Sequence, residues 1–208
     1  MNKTPRNTVN KIKIQKMAVI AMLAALVVVL QLYASAIPLG KANLAFALVP
    51  IVLGAVLLGP FAGTFLGAVM GVVVSITIIS GITDPMSMAM FNYSPVVTIL
   101  LCLIKSSVAG FLAGFISNII IKASNKTFFA VIAASIVCPI VNTGIFSIGF
   151  LTVFRNTVNN YAVSEAGLAS ATTLLGLILL LNFLPELAIN LILAPAIERV
   201  IYATRKQH

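Results

Sequence analysis

Long apolar runs alternate with short polar turns along this chain of 208 residues. A run of about 20 predominantly apolar residues is long enough to cross a bilayer as a helix. Stretches rich in proline, glycine and polar residues mark the ends of such helices. The pattern predicts an all-α membrane protein, a bundle of six transmembrane helices that forms a single integral membrane domain over 1–208. The predicted helices cover about 14–34, 43–58, 61–80, 92–121, 127–153 and 168–202.

Prolines modify several of these predicted helices. The second helix is short and contains Pro50, and the fifth is interrupted by Pro139. The sixth is longer than one perpendicular crossing requires, so we expect it to tilt, to kink at Pro185 or Pro195, or to project from the membrane. The stretches that separate the third from the fourth helix and the fifth from the sixth are predicted to be loops.

Composition supports a membrane location, with 61% hydrophobic residues, 8% charged residues and a mean hydropathy of +1.14. The net charge of +9 would suggest a nucleic-acid partner in a soluble protein. Here the basic residues lie at the ends of apolar runs, where they orient helices. We therefore predict a lipid bilayer and no nucleic acid as the surroundings of this chain.

Lysine and arginine counts predict the orientation, because cytoplasmic loops of membrane proteins carry an excess of these residues. Ten of the 13 basic residues fall on one side of the predicted bundle: Lys3, Arg6, Lys11, Lys13, Lys16, Lys122, Lys126, Arg199, Arg205 and Lys206. The opposite loops hold Lys41 and Arg155. Both termini are therefore predicted to be cytoplasmic, including a basic tail over 1–13.

One cation interrupts the fourth apolar run. An ammonium group near the centre of a spanning helix costs about 2.5 to 3.5 kcal/mol, so Lys105 is expected to face a cavity or a partner. Two alternatives stay open at this point. Lys105 and Glu186 either neutralise each other inside the bundle or both contact a bound solute.

Polar side chains within the helices and in the loops opposite the termini predict a solute site. Cations suit a carboxylate, and amides suit hydroxyls or a peptide-like bond. The site is therefore expected to take a small, hydrogen-bonding, anionic molecule. The candidate substrate-binding residues are Asn43, Asn92, Tyr93, Lys105, Asn142, Arg155, Asn182 and Glu186.

Several functions are excluded by what the sequence lacks. No G-x-x-x-x-G-K-[ST] motif occurs, so the chain does not hydrolyse ATP itself. The only histidine is His208, and Cys102 and Cys138 lie in apolar runs where a small hydrophobic role is favoured over metal binding. We predict no enzymatic activity, no catalytic residues, no metal and no cofactor. Only Glu186 is an intramembrane carboxylate, so an independent ion-coupled carrier is poorly supported.

Small residues recur four apart on three predicted helices, including Gly110 and Gly114 on the fourth, and allow close approach of another backbone. For Gly63, Gly67 and Gly71 we predict packing inside the bundle. For Ala21 and Ala25 we predict contact with a separate membrane subunit.

With its basic ends and six predicted helices, the chain resembles the S components, the substrate-binding subunits, of energy-coupling factor (ECF) vitamin transporters. The resemblance covers most of 14–202 and rests on AMLAA from Ala21 to Ala25, on LGPFAGTFLGAVMGVV in the third helix and on CPIVNTGIF in the fifth. The segment LVPIVLGAVLLGPFAGTFLG is most similar to the pantothenate-specific members.

This resemblance implies a binding subunit that captures a vitamin from the outer side of the cell membrane. It implies a transmembrane coupling (T) subunit that contacts Ala21 and Ala25, and two cytoplasmic ATPase subunits. It also implies a site near the outer face. Its walls would be the loop between helices one and two, the loop between helices three and four, and helices four to six. The alternatives are an S component for another water-soluble vitamin and a self-sufficient carrier of small solutes.

Overall fold

The computed structural model describes residues 5–36, 46–124 and 126–206, and throughout these ranges it contains helices and turns but no strand. The helices are α1 (Pro5–Ala36), α2 (Leu48–Leu58), α3 (Pro60–Ile79), α4 (Pro85–Tyr93), α5 (Pro95–Ser124), α6 (Thr127–Thr152), α7 (Arg155–Ser164), α8 (Ala171–Ile178) and α9 (Leu184–Lys206). A π-helical turn, Leu179–Phe183, joins α8 to α9.

Five helical segments of the described chain are long and apolar enough to cross a membrane. They are Lys13–Ser35 in α1, the whole of α3, α5 and α6, and the continuous segment Ala171–Thr204. The all-α prediction is therefore confirmed. Helix α2 has only 11 residues, seven of which are buried. The predicted count of six crossings consequently depends on whether this short, enclosed helix is itself a span.

Two stretches predicted as loops contain helices instead. Helix α4 begins where Asp84 accepts hydrogen bonds from the backbone N–H and the hydroxyl of Ser87, at 2.8 and 2.6 Å, and Pro85 occupies the first turn. An acidic N-cap followed by proline is a strong local start signal that overrides the polar composition. Helix α7 begins at Arg155, directly after α6, and its connection to α8 turns at Gly167 with φ of 65°.

The predicted limits of three long helices also differ from the structure. Helix α1 begins at Pro5 rather than near residue 14, so most of the basic stretch predicted as a tail is helical. Helix α5 begins at Pro95 rather than near residue 92, because Ser94 is extended and ends α4. Helix α8 begins after Ser170, whose hydroxyl accepts a hydrogen bond from the Thr173 N–H at 3.4 Å. Pro139 does not interrupt α6, which is continuous across it.

Near Pro185, one of the two positions where a kink was considered, the structure contains the π-helical turn. Proline lacks an N–H and its ring crowds the carbonyl four residues earlier, here that of Leu181. A π-helical turn is wider than an α-helical one, and such turns are frequent at functional sites. The turn carries Asn182, one of the predicted site residues.

Helices α3 and α5 pack backbone to backbone through the glycine stripe, as predicted. A Cβ atom added at Gly67 would lie 2.9 Å from the Cα of Ser107, and one at Gly71 would lie 2.8 Å from the carbonyl oxygen of Cys102. Real Cβ atoms essentially never come this close, so only glycine permits this approach. The pairing of α3 with α5 is the most extensive among the described helices.

Two apolar clusters hold the bundle together. The larger one surrounds α2 and includes Ile51, Leu66 and Val131. The second joins the short helices α4, α7 and α8 to the end of α6, with Phe150 and Phe154 fully buried at its centre. The short helices are thereby fixed beside one end of the long ones.

Candidate functional site

A cavity of about 300 Å³ lies between the long helices and the short helices α4, α7 and α8. Ligand pockets of proteins span about 300 to 1,000 Å³, so this volume suits a small ligand. Its polar lining comprises Gln31, Ser35, Thr77, Thr83, Asp84, Ser87, Lys105, Asn142, Thr143, Tyr161, Asn182 and Glu186. Its apolar lining includes Met70, Val74, Met86, Phe146, Leu174 and Ile178.

Lys105 brings a positive charge to this cavity from the middle of α5. Its side chain is partly buried, and its Nζ lies 4.7 Å from the centroid of the Phe146 ring. An ammonium over an aromatic face is stabilised by the negative face of the ring. The cation is therefore held inside the cavity while its N–H groups remain suited to an anionic ligand.

Three amide side chains face the cavity with oxygen atoms that have no hydrogen-bond partner within the described residues. These atoms are Oε1 of Gln31 and Oδ1 of Asn142 and Asn182. Gln31 is 6% exposed and Asn142 is 5% exposed, so neither amide reaches bulk solvent freely. Buried polar atoms are nearly always paired, and a bound solute or water would pair these.

Glu186 adds a carboxylate to the same cavity. The residue is 5% exposed, and its backbone carbonyl accepts a hydrogen bond from the side-chain amide of Asn190 at 2.8 Å. Lys105 and Glu186 thus line one cavity, and the two alternatives stated for them remain predictions. The site contains charges of both signs.

Another part of the cavity wall comes from the start of α4 and from α7. Asp84 is oriented by its two hydrogen bonds from Ser87, and Tyr161 lies beside it in the lining. Partial burial raises the pKa of the Tyr161 phenol, and the carboxylates of Asp84 and Glu165 raise it further. The phenol therefore stays protonated and able to donate a hydrogen bond throughout the physiological range.

The structure brings together four of the predicted site residues, namely Lys105, Asn142, Asn182 and Glu186. Three others are exposed and are absent from the cavity lining given above: Asn92, Tyr93 and Arg155. The Tyr93 ring instead packs edge to face against Phe154, with centroids 6.1 Å apart. Asn43 lies outside the described residues.

Several lining residues were not predicted from the sequence. Asp84 and Ser87 carry a recognisable signal, since D-P-M-S is an N-cap followed by proline and a residue that bonds back to the cap. Gln31 carries a weaker one, as a lone amide that continues the four-residue spacing of the apolar positions Leu23 and Val27. Tyr161 gave no local signal that distinguished it from other loop polarity.

Ala21 and Ala25 are exposed on α1, whereas Leu23, Val27 and Gln31 of the same helix are buried. The alanine face is therefore directed away from the bundle in this chain. It offers a flat helical surface on which another helix could pack closely.

The family of the chain follows from a comparison with protein-family models. The model of the ECF transporter substrate-specific component matches residues 15–198. The chain belongs to this family. No curated protein and no solved structure matches it.

Membership of this family defines the general role of the chain. S components are substrate-binding subunits of transporters rather than enzymes. They work with a T component and ATPases and take a small-molecule substrate. This S component, with its apolar helices, is a multi-pass protein of the cell membrane.

Proposed function

We propose that this S component binds pantothenate with high affinity from the outer side and delivers it with the T subunit and two cytoplasmic ATPases. The observation that carries the proposal is the meeting of Lys105 with Asn142 and Asn182 in one small cavity. These three residues come from separate parts of the chain. The amide oxygens of Asn142 and Asn182 lack partners among the described residues.

The groups of pantothenate match this arrangement. The molecule carries one carboxylate, one amide and two hydroxyls that are well separated. A carboxylate would accept charge-assisted hydrogen bonds from Lys105. The hydroxyls and the amide N–H would donate to the unpaired oxygens of Asn142 and Asn182. The apolar side chains Met70, Val74 and Phe146 would contact the aliphatic part.

A second candidate is a water-soluble vitamin that carries a positive charge. Two carboxylates, those of Asp84 and Glu186, line the same cavity and favour a cation. Asp84 is already held by Ser87, and Glu186 also has an interaction within the protein. Both carboxylates therefore already interact with other groups of the protein, and pantothenate remains our proposal.

Isothermal calorimetry of two charge-removing variants tests the proposal. Lys105→Gln should lower the affinity for pantothenate about ten- to a hundredfold, because a charge-assisted hydrogen bond in a partly dry site contributes about 1.5 to 3 kcal/mol. The same variant should bind the uncharged alcohol analogue of pantothenate almost as the wild type does. Arg155→Gln is the matched control, because Arg155 is an exposed cation.

The outcomes separate the candidates. If Lys105→Gln binds the acid as the wild type does, the ammonium does not bind a carboxylate and pantothenate loses its physical support. If Arg155→Gln shows the larger loss, the anion binds elsewhere than in the cavity described here. If a cationic vitamin displaces pantothenate from the wild type, the second candidate is correct.

A further inference from the structure

Gln31 is the one polar side chain among the buried positions described in α1. The remaining buried residues of this helix are Leu23, Val27 and Ala34, which are all apolar. An amide placed in this row loses its hydration and must find a partner inside the bundle. The position of Gln31 therefore needs a physical explanation other than packing.

The hydrogen bonds of Gln31 do not provide a structural explanation. Its Nε2 donates to the hydroxyl of Ser35 at 3.5 Å, one turn along the same helix and at the outer limit for such a bond. Its Oε1 has no partner within the part of the chain that the structure describes. An amide that tied helices together would bond across to a second helix.

The side chains of Gln31 and Ser35 both line the cavity that Lys105 also lines. We propose that Gln31 and Ser35 form a subsite on α1 for an uncharged donor, with Oε1 of Gln31 accepting a hydrogen bond from a hydroxyl or an amide N–H of the solute. The subsite is chemically distinct from Lys105, which suits a carboxylate. The inference rests on the proposed function in so far as the solute occupies this cavity.

The amide geometry favours this class of group. With Nε2 directed at Ser35, the carbonyl oxygen is the free end of the side chain, and a carbonyl oxygen accepts but cannot donate. A solute carboxylate would meet an acceptor there and be repelled. Gln31 would consequently orient the solute, with its hydroxyl or N–H end at α1 and its anionic end at α5.

The variant Gln31→Met tests the subsite, since methionine keeps the length of the side chain and removes both amide groups. Its affinity for pantothenate should fall about three- to tenfold, the value of one neutral hydrogen bond. Its melting temperature without solute should stay the same or rise, because an unpaired buried amide has been removed. Leu32→Met, on the exposed face of the same helix, is the control and should change neither quantity.

Analogues of pantothenate that lack the donor hydrogen of either hydroxyl or of the amide identify the group that Gln31 binds. For the analogue lacking that group, Gln31→Met should cause no further loss of affinity relative to the wild type. An equal loss for every analogue, or no loss for pantothenate itself, would overturn the inference.

The melting temperature distinguishes this inference from the proposed function. If the wild type fails to bind pantothenate, the proposed substrate is wrong, and the solute-free melting temperature still decides the role of Gln31. A value for Gln31→Met equal to or above that of the wild type supports an amide kept for a ligand. A clear decrease shows that Gln31 stabilises the fold, and the inference fails.

Discussion

Tyr161 shows how single residues of the cavity are tuned by their neighbours. Burial, then the carboxylate of Asp84 and then that of Glu165 disfavour the phenolate and raise the pKa of its phenol. Asp84 is the N-cap of α4, and its carboxylate is held in place by the hydrogen bond from the Ser87 N–H. A residue in a polar connection thereby becomes a dependable hydrogen-bond donor in the cavity wall.

The Tyr161 pKa can be measured directly. The absorbance titration of the wild type minus that of Tyr161→Phe should show a phenol that ionises above the ordinary value of about 10. Glu165→Gln should move this transition partway down, because burial is the largest cause and remains. A transition at or below the ordinary value would contradict the environment described here.

The sign of the stability effect follows from the same shift. A raised pKa means that the folded protein holds the proton more tightly than the unfolded chain does. The contribution of Tyr161 to stability is therefore fully present below about pH 10 and is lost as the pH rises through the raised value.

At the scale of elements, the pairing of α3 with α5 depends on the absence of side-chain atoms. The glycines of α3 face the backbone of α5 at residues 102–110. Close contact of this kind positions Lys105, which lies on α5 within that stretch. The glycine stripe thus contributes to the site without lining it.

Gly67→Ala should lower the free energy of unfolding of the bundle by about 1 to 3 kcal/mol, the usual cost of adding a methyl group to a well-packed core. Gly144→Ala is the matched control, because a Cβ there would meet nothing within 4 Å. Unfolding in detergent, followed by circular dichroism, measures both. Equal midpoints for the two variants would show that α3 and α5 do not pack as closely as described.

At the scale of the whole molecule, the exposed alanine face of α1 is our proposed contact with the T subunit. Replacing Ala21 and Ala25 with leucine should abolish co-purification with that subunit, because bulky side chains hold the two backbones apart. Pantothenate binding should be nearly unchanged. Ala188 and Ala196, which are exposed on α9, provide a control pair for the same replacement.

A complex that survives the double replacement while solute binding falls would reverse this interpretation. The alanines would then face the solute site rather than a partner. Loss of the complex in the α9 control pair as well would show that any added bulk disrupts assembly.

The orientation of the bundle also belongs to this scale. We propose that both termini are cytoplasmic, which places the connection after α7 on the outer side. In a variant without Cys102 and Cys138, both buried, a cysteine at Glu165 should react with an impermeant maleimide on intact cells. A cysteine at Lys126 should react only after permeabilisation. The opposite pattern of labelling would invert the topology.

The sequence by itself determined the class of this protein and part of its site. The length of an apolar run can be read from the local sequence, so the five spanning stretches were predictable within a few residues. A charged or amide group inside such a run is costly wherever it points. For this reason Lys105, Asn142, Asn182 and Glu186 could be selected before their neighbours were known.

The tertiary structure alone decided which faces of the helices look inward. Lipid is as apolar as the bundle core, so the inward and outward faces of these helices have similar hydropathy, and periodicity does not distinguish them. For this reason Gln31 and Tyr161 line the cavity although neither was predicted to, while the predicted residues Asn92, Tyr93 and Arg155 are exposed. The direction of a side chain was settled by packing, which joins residues that lie far apart in the chain.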